Sequence, residues 1–218
     1  MDNTAALTCP LCAGTATSHF HSDRRRNYLR CASCYVVFVP AHQHVSPDEE
    51  KSIYDLHRNV ASDQGYRRFL GRLCGPLLQH LQPPACGLDF GCGPGPVLAQ
   101  MLAEQGFEMA LFDPVYANDA SALERRYDFI TCTEAVEHFR HPGREFQLLF
   151  SLLEPSGWLG IMTKQVIDRL AFTGWHYKND LTHVSFFSRE TFYWLAERFQ
   201  VTLEFYGSDV ILLQKQPW

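Results

Sequence analysis

Apolar residues recur at helical spacing in one part of this chain and as short continuous runs in another. Over 63–81, Tyr66, Phe69, Leu70, Leu73, Leu77 and Leu81 fall three or four residues apart, which puts one apolar stripe on a helix. Gly75-Pro76 predicts a kink in it, and Pro83-Pro84 ends it. An earlier helix is predicted from Ser46-Pro47-Asp48-Glu49, an N-cap, a first-turn proline and a capping-box acid. Beyond residue 83 the apolar runs 86–90, 108–112, 127–134 and 158–163 alternate with helical stretches at 96–102 and 143–153, the pattern of buried parallel strands joined by crossovers. A helix over 188–199 and strands at 201–205 and 210–214, turning at Gly207-Ser208-Asp209, finish the chain. The fold class predicted is α/β: a Rossmann-like, mostly parallel sheet over 83–218 that ends in an antiparallel hairpin, with a helical connector and lid at 46–82.

Residues 1–45 fit neither pattern. Cys9-Pro10-Leu11-Cys12 and Cys31-Ala32-Ser33-Cys34 are two C-x2-C knuckles eighteen residues apart, the spacing that closes four thiolates around a zinc ion. A segment this short buries too little apolar area to fold unaided, so the metal supplies its stability and the ribbon is expected to have a core separate from the rest. The alternative is two disulfides or a redox pair. Strands are predicted after the polar turn Asp23-Arg24-Arg25-Arg26 and at Tyr35-Val36-Val37-Phe38-Val39. The arginines suit a solvated hairpin face or an anionic partner, and His19, His21, His42 and His44 flank the ribbon as spare ligands.

The 218 residues, 46% hydrophobic and 20% charged, exclude a disordered or fibrous chain. There is no apolar run of the length a membrane span needs, and Asp2, Cys9, Pro10 and Cys12 stand where a signal peptide would be greasy, so the chain reads as cytoplasmic. Net charge is −5, but residues 1–80 hold nine Lys/Arg against seven Asp/Glu and residues 81–218 ten against seventeen. A polyanion would therefore meet the N-terminal part, while the rest suits small neutral or cationic ligands.

The densest chemistry lies at Cys86-Gly87-Leu88-Asp89-Phe90-Gly91-Cys92-Gly93-Pro94-Gly95, a strand running into a glycine loop and then a helix opened by Pro96. Glycines let the backbone turn at positive φ beneath a ligand, and the helix N-terminus offers free N–H groups. Pro96 occupies the position where a dinucleotide fingerprint needs Gly or Ala. Twenty-four residues past Asp89, the next strand delivers Asp113, placed to grip a ribose diol.

With LDFGCGPG, ALFDP, YDFITCTEAVEHF, LLEPSGWLGIMT and the closing hairpin in that order, residues 80–218 resemble the class I S-adenosylmethionine (SAM)-dependent methyltransferases. With the ribbon added, the chain looks like the zinc-ribbon members related to quinone-biosynthesis and sugar C-methylating enzymes. The resemblance implies SAM as cofactor. Gly91, Cys92, Gly93 and Gly95 would pass beneath its methionine part, Asp89 would meet its amino group, Asp113 with Pro114 would bind the ribose, and Thr133 and Glu134 would border the sulfonium. Only thirteen residues separate Asp113 from Tyr127, room for a helix or a strand but hardly both, which leaves the adenine side open or closed by Tyr116 with Asp119.

The segment 172–187, too polar for core and too aromatic for a linker, is the acceptor-pocket candidate. Within it His183, oriented by Asp180, is the expected base, with His176 and Tyr177 as further contacts; the bland alternative is a turn that Asp180 caps and in which His183 packs. Glu137-His138 either caps a helix or touches substrate, and His138 is kept as a catalytic candidate. The function expected is methyl transfer to a small molecule, the runner-up being an RNA or protein methyltransferase that docks through the ribbon. A non-catalytic SAM-binding or zinc scaffold is the third reading.

Overall fold

Two sheets organise the chain in the computed structural model, which describes residues 7–56 and 59–217. In order the elements are β1 (Thr17–Ser22), β2 (Asn27–Cys31), β3 (Val37–Phe38), α1 (Pro47–Tyr54), α2 (Gln64–Leu78), β4 (Cys86–Phe90), α3 (Val97–Ala103), β5 (Glu108–Phe112) and β6 (Tyr127–Thr133). They continue with α4 (Pro142–Leu152), β7 (Leu153–Met162), α5 (Arg169–Thr173), β8 (Ser185–Phe186), α6 (Arg189–Phe199), β9 (Val201–Tyr206) and β10 (Val210–Lys215). Ser46 and Glu49 close the predicted capping box on α1, and Asp63, at the predicted start of α2, caps it by accepting from the Gly65 and Tyr66 amides. Helix α2 carries Pro76 in its last turn and stops at Leu78, short of the predicted Leu81. Pro96 is the cap of α3 and not its first helical residue. Among the described residues no helix is long and apolar enough to cross a membrane.

The larger sheet runs β5-β4-β6-β7-β10-β9, with β5, β4, β6 and β7 parallel and β10 antiparallel to both neighbours. This is the expected mostly parallel sheet closed by a hairpin. The stretch between the predicted helix ending at 153 and the apolar run starting at 158 is absorbed into β7 as a bulge, since Tyr127 pairs with Leu153 and Phe129 with Trp158. Residues 114–126 supply an isolated bridge between Asp113 and Ala117 and a 3-10 turn at Ala120–Leu123. No helix from this stretch covers β5, and a cleft of about 310 Å³ opens there between Met109, Leu111, Val97 and Asn59.

The smaller sheet, β1-β2-β3-β8, corrects the expectation of a ribbon with its own core. Strand β3 pairs with β8 from the far end of the chain, Val37 opposite Phe186 and Phe38 opposite Ser185, and Val39 N–H donates to the Val184 carbonyl at 2.9 Å. Cys9, Leu11, Cys31, Cys34, Val36 and Phe38 belong to one buried cluster with Leu88, Ile130, Phe146, Leu159 and Ile211 of the larger sheet and its helices. The reason is area: the ribbon's apolar side chains exceed what some 40 residues can bury on themselves. Contact is close enough that a Cβ on Gly143 of α4 would lie 2.3 Å from the Leu11 carbonyl oxygen. The predicted strand at 35–39 shortens to β3 because Tyr35 is still in the knuckle turn, at φ 62°.

Candidate functional site

Strand β4 delivers Gly91 and Gly93 at φ 75° and 62°, conformations that glycine adopts without cost. A Cβ built on Gly93 meets nothing within 4 Å, so the loop has an open side. Asp113, at the end of β5, accepts from Gly93 N–H at 3.0 Å and from the Val115 and Tyr116 amides at 2.8 and 3.0 Å, which ties the two loops together. Pro114 begins the turn that these bonds close. Tyr116 reaches α1's end, its hydroxyl donating to Asp55 at 2.6 Å, whereas Asp119 caps the following 3-10 turn through Ser121 N–H. Asp89 is buried and accepts from Thr131 Oγ1 at 2.8 Å; burial pushes its carboxyl up to about 6. Burial likewise pushes the Cys92 thiol up to about 12, which keeps it protonated. The Thr133 hydroxyl is buried with no hydrogen-bond partner, and Glu134 beside it holds φ 48°, an uncommon conformation for a side-chain-bearing residue.

Past β6, the 3-10 turn Val136–His138 aims Glu137 and His138 inward, so neither serves as a helix cap. Glu137 is wholly buried and takes two hydroxyl donors, Tyr177 on one oxygen and Thr163 Oγ1 at 3.0 Å on the other. Burial raises both Glu134 and Glu137 above the ordinary carboxyl range, and the Glu134 charge adds to the effect on Glu137. His138 Nδ1 lies 3.2 Å from the Thr182 carbonyl and His183 Nδ1 2.8 Å from the Tyr177 carbonyl. A carbonyl only accepts, so both imidazoles carry hydrogen on Nδ1 and direct Nε2 elsewhere. Their rings meet edge to face at 4.7 Å. Burial drives His138 down to about 3 and keeps it neutral. Ligand atoms of Glu137, His138 and His183 lie within 4.8 Å of one another, a donor set that would also suit a divalent cation.

The expected Asp180–His183 pair is corrected in part. Asp180 Oδ1 takes Thr182 N–H at 2.9 Å and Thr182 Oγ1 at 2.6 Å, and its other oxygen stands 3.9 Å from His183 Nε2, beyond hydrogen-bond range. The Tyr177 carbonyl holds His183 Nδ1, and Asp180 stands at ion-pair distance from Nε2. His176 sits apart, with its Nε2 3.0 Å from Lys164 Nζ. Unnoticed in the sequence were Tyr177 as the donor to Glu137, Tyr54 packed edge-on against His138 at 5.2 Å, and Arg26, which is 3% exposed. Only the run of aromatics in 172–187 hinted at the first.

The four ribbon thiols converge. Cys9 and Cys34 sulfurs lie 3.4 Å apart and those of Cys12 and Cys31 3.5 Å, with all four within 4.8 Å. A disulfide needs about 2.05 Å, whereas sulfurs about 2.3 Å from a central ion at tetrahedral corners stand about 3.8 Å apart. His19, His21, His42 and His44 are not part of that cluster.

A parallel sheet closed by a hairpin, with a glycine cradle and an acid at adjoining strand ends, defines the class I SAM-dependent methyltransferase fold. Residues 63–204 match the methyltransferase-domain family, and the chain belongs to that family. It is 30% identical over 101 residues to a ubiquinone biosynthesis O-methyltransferase of Leptothrix cholodnii, covering 35% of this chain and 43% of that protein. To the enzyme of the same description from Serratia proteamaculans it is 32% identical over 71 residues, covering 33% and 30%. The matches thus span less than half the length of these curated relatives. Among solved structures, the 1,6-didemethyltoxoflavin-N1-methyltransferase of Burkholderia thailandensis, with 1,6-didemethyltoxoflavin and S-adenosylhomocysteine bound, superposes with a TM-score of 0.55 at 16% identity. That likeness covers 91% of this chain and 99% of the other. A SAM-dependent methyltransferase from Archaeoglobus fulgidus gives 0.54 at 17% identity, over 68% and 94%. Both likenesses are of fold.

Proposed function

We propose that this chain binds SAM along the Gly91–Gly95 loop and transfers its methyl group to an N–H or O–H of a small-molecule acceptor. The observation that carries the proposal is the glycine loop, open at Gly93 and packed at Gly91 against Ala135, beside the turn that supplies Glu137 and His138 to a cluster with His183. The cradle fits the cofactor: positive φ at Gly91 and Gly93 with free space at Gly93, a carboxylate at the next strand end and an orphan hydroxyl. Gly91, Cys92, Gly93 and Gly95 would hold the methionine part, Asp89 its amino group, Asp113 and Pro114 the ribose, while Thr133 and Glu134 border the sulfonium. Bound there, SAM supplies an electrophilic methyl group. His183 Nε2 takes the acceptor's proton while Nδ1–H stays on the Tyr177 carbonyl, and Asp180 at 3.9 Å favours the imidazolium that results. His138, held neutral, offers Nε2 as a hydrogen-bond acceptor that orients the acceptor group.

A small acceptor is favoured over RNA or protein because the base is buried and because Arg26, one of three arginines that could meet a polyanion, is buried as well. The relatives' names point the same way, one to ubiquinone biosynthesis and one to toxoflavin. We further propose that Cys9, Cys12, Cys31 and Cys34 hold one structural zinc, since four thiolates leave no open coordination position. Reduced thiolates suit a reducing compartment such as the cytoplasm. Calorimetry with S-adenosylhomocysteine should give one site per chain, and metal analysis about one zinc. A panel of phenols and heteroaromatic N–H compounds, followed by S-adenosylhomocysteine release, then identifies the acceptor. Tight NADH binding without S-adenosylhomocysteine binding would overturn the reading.

A further inference from the structure

Of the three arginines in the β1–β2 turn, Arg24 and Arg25 are exposed and Arg26 is buried. Its guanidinium makes four hydrogen bonds. Nε donates to the Tyr28 hydroxyl at 3.1 Å, Nη1 to the Leu181 carbonyl at 2.9 Å, and Nη2 to the Lys178 and Asp180 carbonyls at 2.7 and 2.6 Å. Tyr28 is held in turn, donating to Asp23 Oδ2 at 2.9 Å, and Asp23 Oδ1 accepts from the Arg25 and Arg26 amides. The ribbon turn therefore presents a preassembled cation to three carbonyls of one short loop.

The two carbonyls that hold the histidines bracket those three in sequence. The oxygens of residues 178, 180 and 181 face Arg26, while Tyr177 O accepts from His183 Nδ1 and Thr182 O lies on His138 Nδ1. With the 178, 180 and 181 carbonyls held by Arg26, the backbone on either side of them presents the 177 and 182 carbonyls to the histidines. We propose that Arg26 is a positioning residue for the acceptor side: by collecting the outward carbonyls of 178–181 it fixes the inward carbonyls that set the Nδ1–H tautomer of His183 and His138. The proposal rests on the reading of this cluster as the acceptor side. It requires arginine in particular, because a planar fork spans three carbonyls at once and a lysine ammonium is a single point donor.

The test uses full-length protein with 15N-labelled imidazoles, read by long-range 1H–15N spectra at pH 8 for wild type, R26M and R26K, with S-adenosylhomocysteine calorimetry on each. Wild type should show both histidines as the Nδ1–H tautomer. In R26M the Nε2–H population of His183 should rise at least tenfold while S-adenosylhomocysteine affinity stays within twofold, and added methylguanidinium should restore the wild-type spectrum. R26K, which keeps the charge, covers the case in which R26M does not fold; it should give a smaller rise, of at least threefold. A folded R26M or R26K with unchanged tautomers overturns the proposal. Failure of all forms, wild type included, to bind S-adenosylhomocysteine would instead count against the cofactor reading, and the spectra would still decide the role of Arg26.

Discussion

On the cofactor side of the sheet edge, the glycine loop and the acid that braces it lie within 24 residues of Asp89, and Asp113 joins them through backbone amides. On the proposed acceptor side, the loop that carries Asp180 and His183 is gripped by Arg26, 152 residues from Lys178, and paired through β8 with a strand of the ribbon. One half is built by local chain geometry and the other by contacts between distant segments. The difference teaches where the ribbon belongs. It is a wall of the proposed acceptor side, attached through a shared core, a shared sheet and a buried cation.

The strongest way to break that comparison is to remove a thiol. Metal binding in small zinc modules is worth on the order of 10 kcal/mol, so Cys31→Ser should abolish zinc binding and lower the melting temperature of the whole chain in a single cooperative transition. A sheet that melts as in wild type would make the ribbon an independent module. Next, His183→Ala should cut turnover about 100-fold, with S-adenosylhomocysteine affinity unchanged, because the base acts on the acceptor. Normal turnover would pass the role to His138 or Glu134. The mirror experiment, Asp113→Ala, should weaken S-adenosylhomocysteine binding by about 2 to 3 kcal/mol and leave the zinc content intact. Loss of both would mean the two halves are coupled more tightly than their contacts imply.

Smaller effects sharpen the boundary. Gly143→Val forces a side chain into the Leu11 carbonyl and should cost about 1 to 3 kcal/mol in denaturant unfolding, without altering cofactor affinity. The boundary also shows in pH. His138 sits near 3 in the fold against about 6.5 when unfolded, so below pH 6.5 the unfolded chain takes a proton that the folded chain refuses. Stability should therefore fall as pH drops from about 6.5 toward 3, by up to about 1.4 kcal/mol per pH unit from this residue. Glu134 and Glu137, raised by burial, pull the other way and lose stability as pH rises past the ordinary carboxyl range. His138→Gln should flatten the acid limb; an unchanged slope would mean that His138 accepts the proton in the fold.

The larger sheet was legible because its signals are local: apolar runs of strand length, the capping box at Ser46, helix starts at Asp63 and Ser188, and glycines where the loop turns. The acceptor side was legible only as a candidate segment. His183 and His138 could be named from their chemistry, but not the carbonyls that orient them, since hydrogen bonds from residue 26 to residues 178–181 leave no periodicity in the sequence. The ribbon misled for a related reason. Ligand spacing marks a metal site, and the size of the segment suggested self-sufficiency, yet the partner for its apolar strand comes from residues 185 and 186. Arg26 looked like its exposed neighbours because nothing in a run of three arginines says which one points inward.

The pairing of β3 with β8 also sets a timetable for synthesis. At roughly 5 to 20 residues per second, a ribosome takes on the order of 10 s to travel from one strand to the other. Through that interval β3 has an open edge and the four thiols have no finished protein around them. On the zinc reading, all four ligands are available well before β8, so metal capture is expected early in the life of the nascent chain and closure of the proposed acceptor side late. Thiol labelling of ribosome-stalled chains would time the two events; cysteines that stay reactive until residue 186 has emerged would reverse the order.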